Sequence, residues 1–168
     1  MTEHRSRHAA FAARRHVTQP TTRPAPRLYY FANKTDLLVA LHEHLAARWG
    51  NELATALGSS PDEATIDERI AIYAEVSSRS ATGAELILMV EVSIHEDMRA
   101  PYSRVAAQWI PAAEQIREDD TAGLDRLIAV LAADGLWASG QITELRIPTH
   151  LSGALAKRIG DLVNRHGV

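Results

Sequence analysis

From Lys34 onward, apolar residues recur at intervals of three and four, and alternation never lasts long enough to suggest a strand. The pattern predicts an all-α protein, a helical bundle with one long connecting helix and a C-terminal two-helix hairpin. The long helix is expected over Lys34–Leu57, with Leu37, Leu41, Leu45, Trp49 and Leu53 as its apolar stripe and Gly58 as its stop. Asp62 or Thr65 opens a second helix that runs through Ile66, Ile70, Tyr73 and Val76 to near Gly83. A third, Ala84–His95, is apolar on most faces and is expected to be the central one. A fourth begins near Pro101 and carries Val105, Trp109 and Ile116, with Pro111 inside it predicting a kink or break.

Two further helices, about Thr121–Gln141 and Pro148–Asn164, close the chain. The last interleaves Leu151, Leu155, Ile159 and Leu162 with Gly153, Ala154, Ala156 and Gly160, and such small residues let another helix approach closely. These two helices are expected to pair as a hairpin. Its spare face, represented by Leu127, Leu131, Leu151, Leu155 and Ile159, is expected to pack on a second copy as a four-helix homodimer interface.

Composition narrows the classes. A chain of 168 residues, 46% hydrophobic and 23% charged, suits one compact unit or a core with a small appendage. The absence of cysteine excludes disulfides, thiolate metal sites and cysteine nucleophiles. No apolar run, Leu86 to Val90 among them, approaches the roughly 18 residues of a membrane span. The basic start lacks the 7 to 15 apolar residues of a secretory signal, roughly what export would need, so a cytoplasmic location is expected.

The net charge of −3 conceals an asymmetry. Residues 1–27 hold six Arg and one Glu, a charge of +5, whereas the rest holds 12 basic and 20 acidic residues, a charge of −8. A basic arm on an acidic body is suited to nucleic-acid phosphates, because each neutralised phosphate releases counterions. A solvated tail is the other reading of the same arm.

The segment LYYFANKTDLL, Leu28 to Leu38, makes the sequence specific. It resembles the end of the DNA-binding unit of TetR-type regulators, where a recognition helix is followed by Leu-Tyr-x-x-Phe, a polar turn with a lysine and a leucine-rich long helix. LAADGLWASGQI, Leu131 to Ile142, resembles the family's penultimate, dimer-forming helix. The resemblance implies a head at residues 1–33, a ligand-sensing and dimerisation domain at 34–168, and DNA-backbone contacts from Tyr29, Tyr30 and Lys34. Hydroxyl and ammonium donors beside a helix N-terminus are suited to gripping a phosphate, which positions a protein on DNA without reading bases. The resemblance also implies a small-molecule effector held among the central helices. Trp49, Tyr73, Met89, Trp109 and Trp137 are the expected lining, with His95 on the same helices. It implies no cofactor.

The sequence departs from the family at its start. A three-helix head takes roughly 40 residues, and 28 precede the tyrosine pair here. Arg5–Val17 suits one helix, but Pro20, Pro24 and Pro26 fall where the recognition helix belongs. Tyr29 and Phe31 are also separated by one residue instead of two. A head replaced by unrelated coding sequence would leave this junction.

Catalysis is not expected. The chain has no Gly-rich phosphate loop, no G-x-S-x-G and no H-E-x-x-H, and His42 and His44 fall on different helix faces. His95 with Glu91 reads as a surface pair ahead of a metal site. Two functions remain: a dimeric TetR-like repressor that responds to an effector, or an orphan dimeric ligand-binding module that has lost sequence-specific DNA binding.

Overall fold

The computed structural model describes residues 31–79, 81–92, 94–143 and 145–166. Among these are six α-helices and no strand: α1 (Lys34–Leu57), α2 (Ile66–Ser77), α3 (Gly83–Val92), α4 (Glu96–Trp109), α5 (Thr121–Ile142) and α6 (Thr149–Val163). The all-α expectation holds. The expected Arg5–Val17 helix and the proline-rich stretch lie outside the described residues.

Local chemistry explains the boundaries. Asn33 caps α1 by accepting from the Asp36 N–H at 2.9 Å, and Gly58 ends it at a φ of 77°, where a side chain would be strained. Thr65 and Glu68 cap α2 reciprocally, and Thr82 and Glu85 make the same exchange at the start of α3. These boxes hold the Glu68 and Glu85 carboxyls below the usual range, chiefly through the backbone N–H groups of Thr65 and Thr82.

Four expectations need correction. The buried side of α1 is His42, Ala46 and Leu53 with Trp49 half-buried, whereas Leu41 is exposed. A stripe drawn in steps of four advances by about 40° per step, so Leu37 and Leu53 cannot share one face over four steps. The second helix stops at Ser77, short of Gly83.

The third correction concerns α3. Only Val92 of its described side chains is buried, Ile87 is 72% exposed, and Ile94, just beyond the helix, is 73% exposed. The central position belongs to α2, which packs on α1, α4, α5 and α6 and buries Ile70, Tyr73, Ala74, Val76 and Ser77. Small residues contribute: a Cβ built on Gly160 of α6 would lie 3.2 Å from the Cβ of Ala71 on α2, so these two helices approach closely. Helix α3 is held from one side by α4 and α5, with the Ala81 N–H ahead of it donating to the Trp137 carbonyl at 3.0 Å.

The fourth helix begins at Glu96, about a turn before the expected start near Pro101, and it breaks at Pro111 as expected: it ends at Trp109, because the residue before a proline is driven to extended backbone, and Ile110 has φ −119° and ψ 149°. The proline inside α4 is Pro101, buried in its second turn, and Ile116 belongs to the connection that follows, where residues 113–115 form a 3-10 turn.

Candidate functional site

The interior is lined by Leu53 from α1, Ile70 and Tyr73 from α2, Trp109 from α4, Ala129, Val130 and Ala133 from α5, and Val163 from α6. Two polar junctions are set into this apolar surface. At the first, the Tyr73 hydroxyl donates to the Asp134 carboxylate, joining α2 to α5. The ring of Trp49 meets Tyr73 edge-on, with centroids 5.9 Å apart, so one tyrosine touches both α1 and α5. Burial, followed by the Asp134 charge, pushes the Tyr73 phenol well above its usual range. Burial likewise raises Asp134, and the Tyr73 hydrogen bond offsets part of that rise.

At the second junction, His42 Nδ1 lies 3.2 Å from the Tyr102 hydroxyl, linking α1 to α4 with the rings roughly perpendicular. His42 is fully buried and its Nε2 has no partner. Desolvation lowers its pKa, with Glu91 acting in the opposite sense, so the ring is neutral near pH 7. Burial pushes Tyr102 up to about 12. Nearby, Arg48 of α1 donates to Glu85 of α3 at 2.6 Å.

Of the five residues expected to line a ligand site, the fold brings Trp49, Tyr73 and Trp109 together. Trp109, at 1% exposure, is packed into the core. Met89 and Trp137 are half-buried on α3 and α5 and are not part of that buried cluster. His95 is exposed and precedes α4 without making a side-chain cap. Lys34 is exposed at the first position of α1, and Tyr29 and Tyr30 lie outside the described residues. Among the described residues no group of three or more His, Asp or Glu is placed to hold a metal ion.

The α5–α6 hairpin carries several exposed large apolar residues. Leu131, Leu151 and Leu155 of the expected interface face outward, with Leu124 and Ile128 beside them in sequence. Leu127 and Ile159 are half-buried, and Ile159 packs against the core. The small residues of α6 divide in function: Ala156 and Gly160 are buried, with Gly160 against α2, whereas Gly153 opens to free space.

Sequence reasoning weighed His42 only as a metal ligand beside His44 and passed over Tyr102 and Asp134. A single histidine, tyrosine or aspartate in a helical stretch carries no signal of its own. His42 becomes visible only when the α1 stripe is drawn at 3.6 residues per turn.

Six helices of this arrangement, with a long first helix and outward leucines on the last two, make an all-α helical bundle. A family model described as the tetracyclin repressor-like, C-terminal domain matches residues 67–164, more than half of the chain, and the protein belongs to this family. The match runs from the first turn of α2 to the end of α6. No curated protein matches the chain. No helix among the described residues is long and apolar enough to cross a membrane.

Proposed function

We propose that the chain is a TetR-like transcriptional regulator: a cytoplasmic, non-catalytic homodimer that binds double-stranded DNA and responds to a small-molecule effector. Residues 34–168 would form the sensing and dimerising unit and residues 1–33 a DNA-binding segment of altered sequence. The observation that carries the reading is the row of outward leucines on the two helices where the family match ends, because Leu131, Leu151 and Leu155 present an apolar surface on a chain whose core is already filled. A second copy related by a two-fold axis would cover it with itself, and Leu127 and Ile159 would edge that contact.

The effector would act through the aromatic set Trp49, Tyr73, Met89, Trp109 and Trp137. Tyr73 touches both α1 and α5, so a ligand that displaced it would alter the angle of α1 against the dimer helices. Coupling of about 1 to 3 kcal/mol is typical of such switches. At the other end of α1, Lys34 and the tyrosines Tyr29 and Tyr30 would grip phosphates and set the register on DNA.

The second reading, an orphan dimeric ligand-binding module without sequence-specific DNA binding, is favoured by the sequence positions of Pro20, Pro24 and Pro26, residues poorly suited to a recognition helix. One pair of measurements tests both. Sedimentation equilibrium of the full chain should give a dimer that Leu131→Glu with Leu155→Glu converts to monomer. Salt-dependent binding to the chain's own upstream DNA and to a scrambled duplex should then show preference for the native duplex. A monomeric wild type overturns the dimer. Equal, weak, salt-sensitive binding to both duplexes overturns the regulator and leaves the module.

A further inference from the structure

Helix α3 and the turn that follows it hold large apolar side chains in solvent, on a different element from the leucines of α5 and α6. Ile87 is 72% exposed, Val90 65% and Ile94 73%. Positions 87, 90 and 94 are spaced by three and four, and the Ile94 N–H donates to the Glu91 carbonyl at 3.1 Å, so the strip follows one side of the helical path past its end. Acidic residues border it. Glu91 is half-buried beside Val90, and Glu96 and Asp97 are exposed just after Ile94, with Arg99 as the cation of the same stretch. Among the described residues no ion pair engages Glu91, Glu96 or Asp97, whereas Glu85 at the start of α3 is taken by Arg48.

This corner lies at the end of the body where the described residues begin. His42 and Gly50 of α1 meet Tyr102 and Val105 of α4 in the same order along both helices, His42 Nδ1 lying 3.2 Å from the Tyr102 hydroxyl and a Cβ on Gly50 lying 3.5 Å from Val105. Helix α4 therefore advances along α1 in the same sense, and its first residue, Glu96, falls towards Lys34. The charge of Glu91 reaches His42, which is about two turns into α1.

From this placement we propose that the α3–α4 corner docks residues 9–17 of the same chain, AAFAARRHV, with Phe11 and Val17 against Ile87 and Ile94 and with Arg14 and Arg15 against the carboxylates. Charge favours this occupant: residues 1–27 carry +5, and the corner is net acidic. A second copy of the corner would set the same carboxylates against themselves. Reach is ample, because the residues between Val17 and Phe31 extend to about 45 Å at ~3.3 Å each, more than the ~36 Å length of α1. Covalent attachment holds the segment at an effective concentration of the order of millimolar, which populates a contact too weak to form between separate chains. The docked arginines are among those that would neutralise DNA phosphates, so the two contacts exclude each other and the body restrains its own basic arm. The contact goes beyond the regulator reading and stands whether or not the chain binds DNA.

The absence of cysteine makes a clean test possible, since Ser6→Cys places a single nitroxide label on the ¹⁵N-labelled full chain. Against the reduced label, the amides of Ile87, Ile94 and Glu96 should broaden, while those of Gly58 and Ile66 at the far end of α1 stay sharp. Glu96→Gln with Asp97→Asn should cut the broadening at least twofold, and Ile87→Ser with Ile94→Ser should do the same. All four positions are exposed, so the rest of the spectrum should be unchanged in both variants. No selective broadening, or broadening that survives both pairs of substitutions, overturns the docking site. Broadening that also appears when spin-labelled chain without ¹⁵N is mixed with unlabelled ¹⁵N chain overturns the same-chain occupant, because the arm then comes from a second copy.

Discussion

Tyr73 and Asp134, sixty-one positions apart in the chain, share a hydrogen bond that joins the central helix to the helix carrying the exposed leucines. Tyr73 is buried and cannot replace this partner with water, whereas Asp134 keeps part of its surface in solvent. Tyr73→Phe keeps the ring contact with Trp49 and removes only the hydroxyl. The expected loss is about 1 kcal/mol, typical of a single hydrogen bond with one partner near solvent, measured by urea unfolding. The effect should largely disappear when the same change is made on an Asp134→Ala background, which removes the acceptor, and a double-mutant cycle reads this directly.

The same junction has a pH signature. Asp134 holds its proton to higher pH folded than unfolded, so the native state binds more protons between the two values, and the stability that the proton confers is lost as pH rises through them. The window starts near the usual carboxylate value of about 4 and extends upward. Asp134→Asn removes this contribution. The variant should therefore be the more stable protein at neutral pH, with its advantage shrinking on acidification, and unfolding curves of both proteins across the window check this.

His42 titrates in the opposite sense. Its folded pKa is depressed by burial, so on acidification the unfolded chain takes up a proton before the native one, and stability present above about pH 6.5 is lost as pH falls below it. His42→Leu should flatten that part of the stability profile. It should also leave Tyr102 without its His42 contact, so a modest loss at neutral pH is expected beside the lost pH dependence.

Two glycines should respond differently to added bulk. Gly160→Val forces side-chain carbon into Ala71 at the α2–α6 contact and is expected to cost about 1 to 3 kcal/mol, with α6 loosened from the body. Gly58→Ala meets no neighbour and fails for another reason, the left-handed φ of 77°, at about 1 kcal/mol. Hydrogen exchange separates them: Gly160→Val should expose α6 amides, whereas Gly58→Ala should act at the end of α1.

The sequence alone determined the class and most of the elements. Helical spacing marked α1, α5 and α6 to within a residue or two, because caps and stops such as Gly58, Asp120 and Pro148 are written in single residues and act on their immediate neighbours. The Asp-Gly-Leu-Trp run pointed to the family that the match over residues 67–164 shows. Tertiary structure decided which helix became the centre. Composition favoured α3, yet close packing favoured α2, where Ala71 against Gly160 permits a near approach, and hydrophobicity has no direction of its own. Partners were likewise illegible: nothing in the chain links Tyr73 to Asp134 or His42 to Tyr102. Local signals fix where a helix begins and ends, but which side chains meet across helices depends on how six rods settle against one another, and that is a property of the whole fold.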